Sequence, residues 1–437
     1  MQNIIERKEY LDRLKEVREK NVIKIITGIR RSGKSVLLSQ FQGCLKQDGV
    51  TESQIVSLNF EELENEELTD YKKLNEYLVS KIIKGKYTYI FLDEVQMVKD
   101  FQKVVDSIYA KNGKDNILVD LYITGSNSYL LSNKISTLLS GRFVEISMLP
   151  LSFKEYIQVR KNAAFEKGET STTMLPKKFM FTNSFAQAYK RELIDYIKFG
   201  GFPQTLEMDN ETSINSYLDG ILNTVIVKDI MNREENVDPE ILKMLLKFIM
   251  HNVGSIISSN KIANTFTTNG RKIVYNTVEK YLGYLKDSFI IYEIGRFDVK
   301  GKEHLKQSAK YYIVDTGLRN MLLANREPDI GHILENIVYL ELLRRNPKSI
   351  TVSKDDKISV GKLDTKEIDF VVQNKNETVY YQVAASLLDK NALERELAPL
   401  NAIKDHYQKF IITLDDYTAG SVHNGIKIIN IIDFLLE

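Results

Sequence analysis

The chain has 437 residues, which exceeds the usual size of one domain and predicts two to four modules. Hydrophobic residues make up 43% and charged residues 27% of the sequence, a balance that excludes a disordered or fibrous protein. Lysine plus arginine number 60 against 59 aspartate plus glutamate, a net charge of +1 that taken alone predicts no polyanionic partner.

The sequence also lacks the features of a membrane, secreted or zinc-binding protein. No run of about 18 apolar residues occurs, and residues 1–13 are charged throughout instead of carrying a basic start and an apolar stretch. Cys44 is the only cysteine, which excludes an internal disulfide and a cysteine-rich zinc site. The five histidines show no metal-ligand spacing. We therefore expect a cytoplasmic protein without membrane contact.

The strongest motif follows the apolar run at residues 22–27 and has the complete P-loop spacing G-x-x-x-x-G-K-S. Glycines are needed at both ends because backbone N–H groups must wrap closely around phosphate oxygens. Lys34 is expected to reach the β and γ phosphates of ATP, and Ser35 to complete the Mg²⁺ shell. Apolar residues at helical spacing come next. The candidate nucleotide-binding residues are Gly28, Ile29, Arg30, Arg31, Ser32, Gly33, Lys34, Ser35 and Val36.

Further apolar runs predict the strands that a P-loop fold needs, at residues 55–60, 87–92 and 117–123. The second ends in Asp93 and Glu94, where Asp93 would hold Mg²⁺ through water and Glu94 would activate the attacking water. The third leads into Ser126 and Asn127. Ligands collect beyond the carboxyl ends of parallel strands, so either residue could sense the γ phosphate; a plain turn fits the sequence equally well.

These motifs resemble the AAA-type ATPases of bacteria and archaea, in the AAA+ superfamily. The resemblance rests on Thr-Gly-Ile-Arg-Arg-Ser-Gly-Lys-Ser at 27–35, Leu-Asp-Glu-Val-Gln at 92–96, Thr-Gly-Ser-Asn-Ser at 124–128 and Leu-Ser-Gly-Arg-Phe at 139–143. It implies an α/β P-loop core with a parallel sheet over residues 1–150, using ATP and Mg²⁺. The implied catalytic residues are Glu94, Lys34, Asn127 and Arg142. Arg142 would be a γ-phosphate or intersubunit arginine, and a merely solvated arginine is the alternative.

Residues 151–235 are predicted to form a helical lid. Residues 161–189 are polar with little periodicity and indicate a loop or insertion, and residues 200–203, Gly-Gly-Phe-Pro, break the chain sharply. Apolar positions between residues 217 and 226 then recur at helical spacing. Both pieces resemble the helical region that follows the ATPase core in this family.

Residues 236–330 are predicted to form a winged helix-turn-helix. Helices are expected over 241–250, after Ser259 as an N-cap, and from Val274 to Leu285, with strands at 289–294 and 311–314. The third helix could enter a major groove, which makes double-stranded DNA a candidate partner. A lid or protein-docking role is the alternative. Between residues 251 and 310, ten basic residues face five acidic ones, and the expected phosphate contacts are Arg271, Lys272, Lys280, Arg296, Lys300 and Lys302.

Residues 331–437 are predicted to form an α/β module with a restriction-endonuclease-like fold. A helix with Glu335, a strand with Asp369 and a strand with Gln382 and Ala384 follow the order of PD-(D/E)xK nucleases, and the period of two puts 382 and 384 on one face. Alanine stands where a lysine is expected at 384, and an amide replaces the carboxylate at 382. We therefore expect Glu335, Asp369 and Gln382 to form a degenerate nuclease site.

Three functions follow from these patterns. The first is a Mg²⁺-dependent ATPase that couples its nucleotide state to the carboxyl-terminal half, acting on DNA, with homo-oligomers compatible with an intersubunit Arg142. The second is a nucleotide-gated DNA-binding or scaffold protein with negligible turnover. The third is an ATP-licensed, metal-dependent nuclease. The near-neutral total charge is then a sum of unlike parts, because residues 331–437 carry 13 basic against 16 acidic residues.

Overall fold

A computed structural model describes residues 5–126, 141–166, 187–231, 237–301, 303–323, 329–346, 357–374 and 377–437. They fall into two compact units, one up to Met148 and one from Leu149 onward, with Asp287–Phe289 grouped with the first. Across these described ranges, every helix is too short or too polar to cross a membrane.

A five-stranded, fully parallel sheet of order β2-β3-β4-β1-β5 forms the centre of the first unit. Its strands are β1 Ile23–Thr27, β2 Ile55–Asn59, β3 Tyr87–Asp93, β4 Leu118–Gly125 and β5 Phe143–Ser147. The helices are α1 Lys8–Val17, α2 Lys34–Gln47, α3 Tyr71–Lys81 and α4 Phe101–Lys111. The strands predicted from the apolar runs are thereby confirmed, and they end on the same edge of the sheet.

Both faces of this sheet are buried, which explains the continuous apolar runs. Alternate strand residues such as Ile90 and Leu92 pack with α3 and α4 on one face. Their neighbours Tyr89 and Phe91 pack with α1 and α2 on the other. The helix after the P-loop buries Leu37, Leu38, Phe41 and Leu45 as its spacing predicts.

The buried strand β1 contains a lysine whose charge is neutralised inside the unit. Lys24 Nζ donates to a carboxylate oxygen of Asp120 and, at 2.8 Å, to the carbonyl of Lys20. The other carboxylate oxygen of Asp120 accepts from the Glu19 N–H and the Tyr122 hydroxyl, both at 2.7 Å. Burial lowers the pKa of Lys24, and Asp120 opposes that shift. Because every charge is paired, the lysine is compatible with a central strand.

The second unit begins with helices. They are α5 Phe153–Glu166, α6 Lys190–Phe199 and α7 Glu211–Thr224, which continues as a π-helical turn over Val225–Met231. The predicted break at Gly200 is confirmed, because α6 ends there with Gly200 at a φ of 77°. The predicted loop at 161–189 was wrong at its start, since α5 runs on to Glu166 through the helix-forming residues Ala163 and Ala164. Most of the remaining loop lies outside the described residues.

A mixed nine-stranded sheet of order β13-β14-β12-β11-β10-β9-β7-β8-β6 runs through the rest of this unit. The strands are β6 Ile256–Ile257, β7 Ile291–Asp298, β8 Glu303–Ile313, β9 Lys357–Leu363, β10 Lys366–Asn374, β11 Glu377–Ala384, β12 Gln408–Thr413, β13 Val422–His423 and β14 Ile426–Asn430. The helices are α8 Pro239–His251, α9 Ser259–Thr268, α10 Tyr275–Asp287, α11 Thr316–Leu322, α12 Ile330–Arg345, α13 Lys390–Asn401 and α14 Ile431–Leu436.

Strands from both sides of the predicted division at residue 330 belong to this one sheet. β7 pairs in parallel with β9, with Phe297 opposite Gly361. The boundary that the sequence predicts at residue 330 therefore does not lie between two sheets.

Two details of the helices over 236–330 differ from the sequence-based expectation. The N-cap of α9 is Ser258, whose hydroxyl accepts from the Lys261 N–H at 3.2 Å, and Ser259 is the first helical residue. Val274 precedes α10 and is 58% exposed, so it does not belong to the buried stripe of Val278, Leu282 and Leu285. Helical spacing alone does not distinguish a helical residue from the residue just before the helix.

Candidate functional site

The P-loop connects β1 to α2 in a conformation that requires glycine. Gly28 has a φ of 144°, and a Cβ atom at this position would lie 2.1 Å from the carbonyl oxygen of Met148. Gly33 has a φ of 101° and caps the amino end of α2. The Ser32 hydroxyl is fully buried and has no hydrogen-bond partner in the structure. Backbone N–H groups at a helix amino terminus, with no side chain in front of them, are the donors that bind phosphate oxygens.

Lys34 lies inside this loop. Its side chain is buried, and its Nζ donates to the carbonyls of Gly28 at 3.0 Å and Ile29 at 3.2 Å. The same Nζ is 3.9 Å from a carboxylate oxygen of Glu94. The loop thus brings the P-loop lysine and the acidic pair after β3 into one site.

Asp93 is held by two hydroxyl groups. Thr124, at the end of the intervening strand β4, donates to one carboxylate oxygen, and Ser35 hydrogen-bonds the same side chain. Asp93 is 6% exposed, and burial raises its pKa while the two hydroxyls oppose the shift. Ser35 and Asp93 therefore place hydroxyl and carboxylate oxygens side by side, which is the ligand set that Mg²⁺ prefers.

Glu94 is fixed by its backbone and by a neighbouring amide. It has a φ of 52°, and its N–H donates to Thr124 Oγ1 at 3.0 Å. Gln96 donates from one amide nitrogen both to the Glu94 carboxylate and, at 3.3 Å, to the Ser126 hydroxyl. Ser126 is therefore linked to Glu94 through Gln96, whereas Asn127 lies outside the described residues.

The other P-loop positions have different environments. Ile29 is buried, so it contributes backbone groups. Arg30 forms an ion pair with Glu61, with 2.9 Å between the guanidinium nitrogen and the carboxylate oxygen. Arg31 is exposed with a φ of 65°, and Val36 is 45% exposed on the outer side of α2. Val36 therefore does not belong to the buried apolar stripe of α2.

Arg142 lies away from the P-loop edge of its own unit. It precedes β5, and its carbonyl accepts from the N–H of Ile23, the first residue of β1, at 2.7 Å. The P-loop begins after Thr27, the last residue of that strand, and Thr27 lies about 13 Å from Ile23 at the rise of an extended strand. The Arg142 guanidinium instead lies 3.6 Å from Asp106 and 5.4 Å from the centre of the Tyr109 ring. A γ-phosphate contact within its own site is therefore not supported.

One buried arginine contacts the P-loop, and no sequence motif predicts this contact. Arg7 is 3% exposed, and its guanidinium donates to the Ser32 carbonyl at 3.0 Å and lies over the Tyr10 ring. Its backbone N–H donates to Gln40 on α2 at 3.3 Å. The only sequence signal was an arginine just before an amphipathic helix, which is too common to predict such a contact.

The residues of the predicted nuclease-like site do come together in the second unit. Asp369 and Gln382 are cross-strand neighbours on β10 and β11, with the Asp369 N–H 3.4 Å from Gln382 Oε1. Glu335 on α12 is buried close by. Between the acids lies Lys310 of β8, whose Nζ is 2.7 Å from Glu335 and 3.5 Å from Asp369. Ala384 is buried and supplies no charge.

Lys310 also pairs with Glu367 at 2.7 Å, so one ammonium faces three carboxylates. Burial alone would lower the pKa of Lys310, but the attraction of Asp369, Glu335 and Glu367 outweighs it and raises the pKa. Burial would raise the pKa of Glu335, but Lys310 chiefly reverses that shift and lowers it. Glu335 and Lys310 therefore form a charged pair inside the unit.

The predicted basic segment is only partly an exposed surface. Arg271 and Lys272, just before α10, and Lys280 within it are exposed. Lys300 is exposed and 3.5 Å from Asp364, and Arg296 is half-buried. Lys302 lies outside the described residues. The excess of five positive charges counted over 251–310 includes Lys310, which is 2% exposed, so that count overstated the charge available to DNA.

The sheet order, a P-loop after β1 and an acidic pair at the end of β3 define the first unit as an AAA-type P-loop ATPase core. A family model described as an AAA domain matches residues 20–157, and one described as a domain of unknown function matches residues 190–329. An uncharacterized protein of Haemophilus influenzae is 35% identical over 435 residues, 99% of each chain. An uncharacterized protein of Methanocaldococcus jannaschii is 30% identical over 392 residues, 88% of this chain and 79% of that one. The chain belongs to the family of AAA+ ATPase-like proteins that these relatives define.

Solved structures are more distant. The Walker-type ATPase of Pyrococcus abyssi has a TM-score of 0.46 at 18% identity, covering 73% of this chain and 96% of that one. The ORC1 protein of Aeropyrum pernix, solved in complex with DNA, has a TM-score of 0.30 at 13% identity, covering 73% and 91%.

Proposed function

We propose that this protein is a Mg²⁺-dependent ATPase that hydrolyses ATP to ADP and phosphate and couples its nucleotide state to the carboxyl-terminal half. The observation that carries the proposal is the convergence of Lys34, Asp93 and Glu94 at one edge of the first sheet, with Lys34 Nζ 3.9 Å from Glu94. Buried lysine and carboxylate groups beside a glycine loop at a helix amino terminus are the arrangement that binds a phosphate and its counter-ion.

Each side chain then has a chemical task. Lys34 would exchange the Gly28 and Ile29 carbonyls for phosphate oxygens, which are stronger, charged acceptors. Ser35 and Asp93 would hold Mg²⁺, which neutralises charge on the phosphates when bound. Glu94, held by Gln96, would accept the proton of the attacking water. Ser126, joined to Glu94 through Gln96, would report the γ phosphate. Phosphate release measured in Mg²⁺ and in excess chelator tests this assignment, with turnover expected only in Mg²⁺.

Arg142 fits this scheme only across a subunit boundary. It lies at the amino ends of the strands, so in a homo-oligomer it would act on the nucleotide of a neighbouring protomer and not on its own. Its present partners, Asp106 and Tyr109, are partly exposed contacts that an oligomer could replace.

DNA is the second component of the proposal, with residues 151–235 as a lid, 236–330 as a winged helix-turn-helix and 331–437 as a nuclease-like module. The specific observation that favours it is the exposure of Arg271 and Lys272, just before α10, and of Lys280 within that helix. The order α8, β6, α9, α10, β7 and β8 suits a winged helix whose third helix meets a major groove. The exposed Val274 and Tyr275 beside these charges are the feature that a protein-docking surface would use instead.

Neutralising Arg271, Lys272 and Lys280 together to alanine is expected to weaken DNA binding and flatten its salt dependence. Each lost phosphate contact should reduce the slope of log K against log salt by about 0.9. Duplex binding measured over a salt series checks this. Lys286→Ala is the matched control, because Lys286 lies on the same helix but forms an ion pair with Glu293.

An unchanged slope in the triple variant would assign α10 to a protein contact. Phosphate release measured with and without the duplex distinguishes an ATPase that acts on DNA from a nucleotide-gated binding protein or scaffold. A DNA-acting ATPase changes its turnover when DNA is added, whereas a nucleotide-gated binding protein or scaffold releases negligible phosphate in both conditions.

A further inference from the structure

The buried lysine of the carboxyl-terminal half has more acidic partners than an ordinary ion pair. Lys310 is 2% exposed, and its Nζ lies 2.7 Å from Glu335, 2.7 Å from Glu367 and 3.5 Å from Asp369. These carboxylates come from α12 and β10, while the lysine comes from β8. One ammonium therefore joins three elements that are far apart in the sequence.

Glu335 and Asp369 are the acids that the sequence order would assign to a metal ion. Their oxygens are already used by the protein. Tyr312 donates to the same Glu335 oxygen as Lys310, and the Val383 N–H donates to Asp369 at 2.9 Å. Gln382 donates its amide to Glu396 at 2.9 Å. Over the described ranges, no cluster of His, Cys, Asp and Glu is arranged to hold a metal ion.

We infer that the Lys310 ammonium is the resident cation of this carboxylate cluster and occupies the position that a divalent ion would take in a nuclease of the same residue order. An ammonium offsets one negative charge of the cluster and donates three hydrogen bonds, one toward each carboxylate. It has no coordination position at which water could become hydroxide, so it cannot replace a metal in phosphodiester hydrolysis. This inference rests on the proposed nuclease-like module and is independent of the ATPase assignment.

The consequence is that the cluster stabilises the fold instead of cleaving DNA. Removing the lysine would leave three carboxylates close together and partly buried, which is strongly unfavourable. It would also vacate the space between them. A variant without the lysine side chain should therefore acquire an affinity for divalent cations that the natural protein lacks.

The test uses Lys310→Ala in the full-length protein without nucleotide, with Mn²⁺ as the probe. In metal-free buffer its melting temperature should fall by roughly 10 °C, and millimolar Mn²⁺ should restore part of that loss. The melting temperature of wild type should rise in Mn²⁺ no more than the melting temperature of Asp369→Asn does. Lys300→Ala, which removes an exposed lysine that pairs with Asp364, is the matched control and should resemble wild type. The double variant Lys310→Ala with Asp369→Asn should lose the response to Mn²⁺.

Three results would overturn the inference. The first is a folded Lys310→Ala variant that gains no stabilisation from Mn²⁺. The second is that wild type binds more Mn²⁺ than Asp369→Asn, as measured by electron paramagnetic resonance. This measurement does not require the Lys310→Ala variant to fold. Nicking of plasmid DNA by wild type in Mn²⁺ that disappears in Asp369→Asn would contradict it equally. The P-loop is the same in all of these variants. The proposed ATPase activity can therefore be confirmed or refuted independently of these results.

Discussion

Replacing Glu94 with glutamine is expected to leave ATP bound while slowing phosphate release by about 10²- to 10⁴-fold, the usual contribution of a general base. Glutamine has nearly the same shape as glutamate, and its carbonyl oxygen can still accept from Gln96, so the loop after β3 should keep its geometry. What it loses is the ability to take a proton from water. Turnover measured at saturating ATP, together with ATP affinity, checks the prediction.

The matched control is Glu76→Gln, an exposed glutamate of α3 on the same unit. It should behave as wild type in both measurements. Wild-type turnover in Glu94→Gln would remove the catalytic role assigned to this residue. A parallel loss of ATP affinity would also contradict it, because the carboxylate lies 3.9 Å from Lys34 and would then be acting on nucleotide binding.

Gly28→Ala is expected to abolish ATP binding and to destabilise the first unit by about 3 kcal/mol or more. The added methyl group would lie 2.1 Å from the Met148 carbonyl oxygen, a contact that only a shift of backbone could relieve. The φ of 144° is strained for alanine in addition. Since this backbone forms the phosphate loop, any relief would move the N–H groups that surround the phosphates.

Gly43→Ala provides the comparison. Gly43 lies within α2, and a Cβ atom there would meet no atom within 4 Å. Alanine should therefore stabilise the helix by roughly 0.5–1 kcal/mol and leave ATP binding unchanged. Denaturant unfolding and ATP titration of both variants check the pair. Equal behaviour of the two variants would show that the P-loop conformation does not depend on Gly28.

Sequence reasoning was strongest where the chemistry is local. The P-loop, the strand ending in Asp93 and Glu94, and the helix after Gly33 each lie within a short stretch, and periodicity with one motif is sufficient to predict them. The residues that complete the site come from elsewhere. Thr124 holds Asp93 from the next strand of the sheet, and Arg7 reaches the loop from before α1. Thr124 lies in the Thr-Gly-Ser-Asn-Ser motif, but that motif does not indicate a contact with Asp93, and Arg7 lies in no motif.

The second unit shows the same limit over a longer range. The sequence order of Glu335 and Asp369 predicts the acidic cluster, but the nuclease pattern places its lysine at position 384, where this chain has alanine. The cation comes instead from Lys310, on a strand that was assigned to a different module. Only the shared nine-stranded sheet brings these segments together. Lys310 was also counted with the surface charges because a sequence gives no measure of burial.

The most direct test of the central claim is ATP binding by wild type and by Lys34→Ala, with Lys46→Ala as the control. Lys46 lies on the same helix and pairs with Glu52 at the surface. Removing the charged partner of a phosphate should cost several kcal/mol, which corresponds to roughly 100-fold or more in the dissociation constant. We expect that loss of affinity for Lys34→Ala and wild-type affinity for Lys46→Ala. Equal ATP affinity in all three proteins would contradict it.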